Sequence, residues 1–464
     1  MTATPPSPPW AYRLLTVLMA PLVLARLVWR GRREPRYRQF PWQRLGYYGA
    51  EVPADGTGMV WIHAVSLGET RAAGVLITAL RQRWPQVQVL LTHSTATGWE
   101  EGRRWLRDGD RQVWLPWDTT AACRRFLRRF RPRIGLLMET EVWPNLVAQA
   151  RAAGVPLWLV NARLSARSLQ KAQRWPSLAA QAYGGLSAAW AQTQDDAQRL
   201  RRLGAPVAGV MGNLKYDAAP EPALLKQGQA WRQRLADHRP VVLLASSREG
   251  EELAWLQAAL RHAALAELRW LIVPRHPQRF DAVARQLEGH GFRVGRRSNW
   301  PTGLQDKAWE TVRQADVWLG DSMGEMASYY ALADWALMGG SFLPYGGQNL
   351  IEALACDCPV LLGPHVFHFQ EAAQAAQAAD VAQPVRDMEE AVVRSLAWAR
   401  QPTAWPEQAR KQAAAWLAQH RGAAQGLLDA LANELLEMKG SPPPFVGGVI
   451  GAPSARLEQR VDGL

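Results

Sequence analysis

From about residue 58 the chain alternates between short apolar runs and longer amphipathic stretches. GMVWIHAV, QVQVLLTHST, RIGLLMET, VPLWLVNA and LSAAWAQT are each a few residues rich in Val, Leu, Ile, Ala and Trp. Continuous apolar runs of this length predict strands buried on both faces. Helical stretches such as ETRAAGVLITALRQRWP lie between them, and RRLGAPVAGVMGNLKYD closes the series. AAPEPALLKQGQAWRQRL then reads as the linker and entry helix of a second series. That series is RPVVLLASS, LRWLIVPRHP, GFRVGRRS, DVWLGDS, ADWALMGG and CPVLLGP. Strand–helix alternation predicts a parallel sheet covered on both faces, and two series predict two doubly wound α/β domains facing a cleft. A length of 464 residues supports the same division. The expected boundaries are 45–220 and 221–437, with one helix over about 405–437. The tail 438–464, GSPPPFVGGVIGAPSARLEQRVDGL, carries no usable period and is expected to be disordered.

Residues 1–44 stand apart from this pattern. WAYRLLTVLMAPLVLARLVWRGRR contains an apolar run from Leu14 to Ala25, interrupted by Pro21 and bordered by Arg13 and Arg26. The run is short for a spanning helix, although bordering arginines can snorkel and lengthen it. A cleaved signal peptide fits poorly, because RGRREPRYR follows where a small-residue cleavage site belongs. The favoured reading is an uncleaved N-terminal membrane anchor with its basic flank on the cytoplasmic side. A core helix of the first domain is the bland alternative.

Charge supports the anchor. The net charge is +13, and residues 1–44 hold eight arginines against the single acid Glu34, which places more than half of the excess there. A basic cluster beside an apolar helix suits anionic lipids. The remaining excess is spread thinly and makes no stripe interleaved with stacking aromatics, so nucleic acid is not an expected partner. Most of the 23 tryptophans read as core. The cysteines, Cys123, Cys356 and Cys358, are odd in number and form no CxxC, so neither a disulfide framework nor a zinc site is expected.

Several strand-to-helix turns carry chemistry. They are HAVSLGET, METEVWPNL, NARLSARS, GNLKYD, ASSREGEE, IVPRHPQRF, GDSMGEM and GGSFLPYGGQNLIEALA. Together, in this order and over roughly residues 10–370, they closely resemble the family of Kdo transferases. Those enzymes move 3-deoxy-manno-octulosonic acid (Kdo) from CMP-Kdo to the lipid A precursor. The resemblance implies the GT-B architecture, with an N-terminal acceptor-binding domain and a C-terminal CMP-Kdo-binding domain. It implies an inverting transfer that needs neither metal nor cofactor.

The family's motifs carry roles onto residues of this chain. The acid of the S-x-G-E turn, here Glu69, is implied to be the general base. A sugar hydroxyl must lose a proton as it attacks, and a carboxylate within reach can take it. Without the rest of the motif set, Glu69 reads as a first-turn acid favoured by the helix dipole. Gly68 is expected to give a tight turn and close approach of a bulky glycolipid. Glu139, which opens E-T-E-x-W-P, and Lys215 are implied to act on the transition state, and a cation offsets charge gathering on the leaving CMP. Read alone, Lys215 is an exposed linker lysine. Glu141, two residues after Glu139, shares its strand face if the strand continues. Pro274 and Arg275, then Met323, Gly324 and Glu325, then Asn349, Leu350, Ile351 and Glu352 match the family's donor contacts. Arginine offers a planar fork for phosphate, and Glu352 suits ribose hydroxyls. Arg279 and His276 are expected helpers, with a core or capping role favoured for His276. The chain departs from the family pattern at Gln348, where many members carry histidine, and at Arg248. The competing enzyme reading is another membrane-associated GT-B transferase that uses a UDP-sugar. A non-catalytic scaffold is disfavoured, since it would be free to lose Glu69.

Overall fold

The computed structural model describes residues 8–32, 34–49, 58–235, 237–301, 306–401 and 405–437. The tail after residue 437, expected to be disordered, lies outside the described residues. The chain forms two compact units, one made of Met1–Leu214 with Gly422–Leu464 and the other of Lys215–Arg421.

The first unit holds a sheet of β1 (Val60–His63), β2 (Val89–His93), β3 (Arg111–Trp114), β4 (Ile134–Met138), β5 (Leu157–Ala162), β6 (Ala188–Ala191) and β7 (Val207–Val210). Its order is β3-β2-β1-β4-β5-β6-β7. Every pairing is parallel. The central strands β1, β2, β4 and β5 are buried at every position, which is why they read as unbroken apolar runs. The second unit holds β8 (Val241–Ser247), β9 (Arg269–Pro274), β10 (Val294–Arg296), β11 (Val317–Leu319), β12 (Trp335–Met338), β13 (Val360–Leu362) and β14 (Ala382–Pro384). Its order is β10-β11-β9-β8-β12-β13-β14, again all parallel. Both units are doubly wound α/β folds, as expected. Trp61, Trp114, Trp255, Trp270, Trp309 and Trp318 are fully buried and fill the cores of both units.

Two strands escape the sequence pattern, β3 and β14, and both lie at sheet edges. The first two residues of β3 are half-buried, and β14 is Ala-Gln-Pro with a half-buried middle and an exposed end. An edge position tolerates a proline, which has no N–H to give.

The expected helix over 405–437 is two helices, Trp405–His420 and Ala423–Glu437, broken at Gly422 with φ 105°. Only the first belongs with the second unit. The other packs on the helix Leu67–Arg83 of the first unit, where Ala423, Ala424, Leu427, Leu428 and Leu431 join its core. Arg83 donates to Asp429 at 2.8 Å beside them.

The N-terminal helix spans Trp10–Arg30 and continues through Pro21. It is long and apolar enough to cross a membrane, and only 6% of its most apolar window is buried. Tyr12 Oη donates to Asp118 at 2.8 Å, and Trp117 Nε1 donates to Thr16 O at 2.8 Å. The basic flank, grouped with the anchor by sequence, is partly built into the first unit. Arg44 is buried, donates to the carbonyls of His93, Ser94 and Leu115, and lies 4.3 Å over the Trp114 ring. Burial pulls its guanidinium down to about 10.

Candidate active site

The strand order reverses between β1 and β4 in the first unit and between β8 and β12 in the second. Open α/β sheets bind ligands beyond the carboxyl ends of strands at such a switch point. The turns singled out by sequence leave these strands.

After β1, Ser66 caps the helix Leu67–Arg83 by accepting from Glu69 N at 3.3 Å. Glu69 returns the favour. Its carboxylate accepts from Val65 N at 2.9 Å and from Ser66 Oγ at 2.8 Å. This is a reciprocal cap akin to a capping box, with the N–H one residue before the N-cap taken up by the carboxylate, so the first-turn role is real. Glu69 is nevertheless not buried away, and it faces two more acids. Burial is the largest influence lifting it above the ordinary glutamate range. The Val65 and Ser66 hydrogen bonds oppose this, while Glu139 and Glu141 push it further up. Gly68 does not serve the turn as expected. It sits inside the helix without a positive φ, and a Cβ there meets nothing within 4 Å.

After β4, Glu139 takes a left-handed conformation, φ 53°, and is 9% exposed. For a glutamate this is sparsely populated backbone that costs about 1–3 kcal/mol and is characteristic of functional turns. Its N–H donates to Val160 O at 3.0 Å, and its carbonyl accepts from Arg163 N at 3.2 Å, which locks the turn to β5. The strand does not continue to Glu141, so the shared strand face is not formed; the reversal at Glu139 brings both acids into the electrostatic neighbourhood of Glu69 instead. Glu141 accepts from Trp143 Nε1 at 3.0 Å and lies 3.8 Å from Nε2 of the fully buried His63. Asn161, at the end of β5, is also left-handed, φ 51°, and accepts from Leu214 N at 3.0 Å.

Lys215 is half-buried in the turn Leu214–Asp217, with which the second unit begins. Within that unit, Pro274 ends β9 buried, and Arg275 N donates to Ser247 O at 3.0 Å. His276 is exposed and caps nothing, contrary to its expected core or capping role. Burial first, then Arg248, Arg275 and Arg279, push its imidazole below the ordinary range, so three arginines gather around it. Arg279 is committed elsewhere: its guanidinium grips buried Glu252 in a two-pronged pair at 2.8 and 3.1 Å. Glu251 ties the turns together by accepting from Arg248 N and Gly340 N at 2.8 Å and from Phe342 N at 3.2 Å.

Met323 and Gly324 are exposed, and Gly324 needs its φ of 83°. Glu325 is held by Arg297 at 2.7 Å and Gln227 at 3.2 Å. Asn349 caps the next helix through Ile351 N and donates to Glu352 at 3.2 Å. Leu350 and Ile351 bury their side chains in the core, so only their backbone can meet a ligand. Gly346 and Gly347 both have positive φ, and a Cβ on Gly346 would fall 2.3 Å from His368. Arg248 lies 4.4 Å over the Tyr345 ring, a placement the sequence did not suggest. The other feature missed was His63, whose position in an apolar strand reads as ordinary core.

Two doubly wound units, one with acids at its switch point and the other with arginines after β8 and β9, make a GT-B-like α/β fold. A solved glycosyltransferase from Rickettsia africae ESF-5 has this fold, with TM-score 0.52 at 11% identity, over 82% of this chain and 99% of that one. Residues 40–218 match the family model described as 3-Deoxy-D-manno-octulosonic-acid transferase (kdotransferase). The 3-deoxy-D-manno-octulosonic acid transferase of Bordetella pertussis is 46% identical over 437 residues, 91% of this chain and 99% of the relative. Its counterpart in Haemophilus influenzae is 34% identical over 365 residues, 78% of this chain and 83% of the relative. The chain belongs to the 3-deoxy-D-manno-octulosonic acid transferase family.

Proposed function

We propose that this protein transfers Kdo from CMP-Kdo to a hydroxyl of the lipid A precursor, with inversion, at the cytoplasmic face of the inner membrane. Glu69 takes the proton of the attacking hydroxyl. The new C–O bond forms at the anomeric carbon of Kdo as the bond to the CMP phosphate breaks, and CMP leaves with the electron pair. Glu139 acts on the transition state, and Lys215 offsets the charge on the leaving group. Pro274, Arg275, Met323–Glu325 and Asn349–Glu352 hold the donor, and the reaction needs no metal. The observation that carries this reading is the meeting of Glu69 and strained Glu139 at the switch point of a chain 46% identical to a Kdo transferase. The apolar helix Trp10–Arg30 supports the membrane location.

The test is incubation of the full chain with a CMP-Kdo-generating mixture and tetraacylated lipid A precursor, followed by mass analysis of the lipid. Wild type is expected to add whole Kdo units, with EDTA present or absent, and Glu69→Gln none. Product from both proteins would leave Glu69 as a capping acid only. Protection of the wild type by UDP but not CMP would move the donor to a UDP-sugar.

A further inference from the structure

The helix Trp10–Arg30 is fastened to the first unit on both sides of its length, and both fastenings reach the same short stretch after β3. Near its start, Tyr12 Oη donates to Asp118 at 2.8 Å, Trp117 Nε1 donates to Thr16 O at 2.8 Å, and Asn145 Nδ2 donates to Thr16 Oγ1 at 3.4 Å. At and past its end, Arg30 lies 4.5 Å over the Tyr37 ring, and buried Tyr37 stacks on Trp114 with ring centroids 6.2 Å apart. Trp114 Nε1 also donates to Gln39 O at 2.9 Å. Between these points one stripe of the helix follows the unit. Thr16 is buried, and Tyr12, Ala20, Val23, Leu27 and Arg30 are half-buried, three or four residues apart.

This attachment is incompatible with an upright helix. A span would place Tyr12 and Gln39 on opposite sides of about 30 Å of hydrocarbon. Residues 114–118, which hold them both, can cover at most about 14 Å of chain. Arg13 and Arg26 are also only about 20 Å apart along the helix axis, too close to reach the two headgroup layers of one bilayer.

The side turned away from the unit is apolar. Leu14, Leu15, Val17, Leu18, Leu22 and Trp29 are all exposed there, Leu18 and Leu22 by 64% and 61%. At 3.6 residues per turn from Thr16, Arg13 and Arg26 fall on opposite flanks, between the docked stripe and this outward face. Both are exposed. An apolar face edged by cations on both flanks matches the boundary between acyl chains and anionic headgroups.

We propose that the helix lies flat in one leaflet of an anionic bilayer, with its outward face about 5–10 Å deep and its two ends on the same side of the membrane. An upright helix would serve the membrane location equally well, so the flat placement is a separate claim, and it holds whichever sugar is transferred. Asp118 adds a consequence. The carboxylate that takes the Tyr12 hydroxyl also accepts from Asn145 N at 3.1 Å and Leu146 N at 2.8 Å, and so caps the helix Pro144–Ala152. That helix follows the turn bearing Glu139 and Glu141, so the bilayer plane is held at a set offset from these acids.

The experiment places single labelled cysteines in the full chain. The native Cys123, Cys356 and Cys358 are buried, and the unsubstituted chain serves as the control for their silence. Spin labels at Leu14→Cys, Leu18→Cys, Leu22→Cys and Trp29→Cys are read for depth, by collision with oxygen against a nickel chelate, on phosphatidylglycerol–phosphatidylethanolamine vesicles. A flat helix gives all four a similar depth. An upright one makes Leu22 about 10 Å deeper than Trp29, and that gradient overturns the proposal. In spheroplasts, a membrane-impermeant maleimide should leave Ser7→Cys unlabelled until the membrane is opened. Labelling of intact spheroplasts overturns it too. Leu18→Glu combined with Leu22→Glu should weaken vesicle binding about a hundredfold or more, with the circular dichroism spectrum unchanged. If the face instead covers a second copy of the chain, the labels are shielded without vesicles and the double variant turns a dimer into a monomer in sedimentation, which also overturns the proposal. None of these readouts uses Kdo transfer, so failure of the proposed activity leaves them standing.

Discussion

In the proposed function Glu69 does two jobs with one carboxylate, and its substitutions must be read accordingly. Its oxygens accept from Val65 N and Ser66 Oγ and so close the start of a helix. Glu69→Ala should therefore lower stability by about 0.5–2 kcal/mol in urea unfolding, in addition to abolishing transfer. Because the folded carboxyl is raised, its proton binding favours the folded state at low pH. That share of stability is lost as pH rises from the ordinary value of 4.5 through the raised one. As a base Glu69 works only when ionised, so the acid limb of kcat/KM should lie above 4.5, and Glu139→Gln should lower it. Glu69 was singled out as the candidate base from its motif alone. The strain at Glu139 was not legible, because a positive φ at glutamate leaves no mark in composition. Arg279 was misread for a related reason: whether an arginine is free or already spent on Glu252 is decided by a residue 27 positions away.

At the scale of elements, central strands were readable because burial on both faces forces unbroken apolar runs. Edge strands β3 and β14 bury one side less and fell below the pattern. The helix break at Gly422 was missed because a single glycine in a helical pattern is tolerated as often as not. Two substitutions test these elements. Leu428 is 2% exposed, between the final helix and Leu67–Arg83, so Leu428→Ala should cost about 2–5 kcal/mol in the unfolding of the first unit. Gly346→Ala puts a Cβ against His368 at φ 92°, so it should displace the turn before Asn349. The expected result is a KM for the donor raised several-fold with little change in thermal midpoint.

At the scale of the whole molecule, the sequence separated an apolar basic N-terminus from two α/β units, and it placed Arg44, which is buried, with the N-terminus. Where a polar side chain points is set by tertiary packing, and Arg44 points inward, onto three carbonyls and the Trp114 ring. A chain beginning at Pro35 should lose its affinity for anionic vesicles and, without the Tyr12 bond to buried Asp118, a small part of the first unit's thermal stability. A chain beginning at Leu45 should lose the affinity and the thermal midpoint, as judged by scanning calorimetry and vesicle sedimentation.

The return of the chain at Gly422 has a consequence for its biosynthesis. The first unit is interrupted after Leu214, and the helix that completes its core leaves the ribosome only after all of Lys215–Arg421 has been made. Until then the apolar face of Leu67–Arg83 waits without its cover, in a nascent chain whose leading segment is already apolar. The second unit is the first to have its whole sequence available. Translation that stops anywhere within it leaves an N-terminal product with an open core, a ready substrate for chaperones and proteases. Complete synthesis is thus built into the fold as a condition for a stable acid-bearing unit.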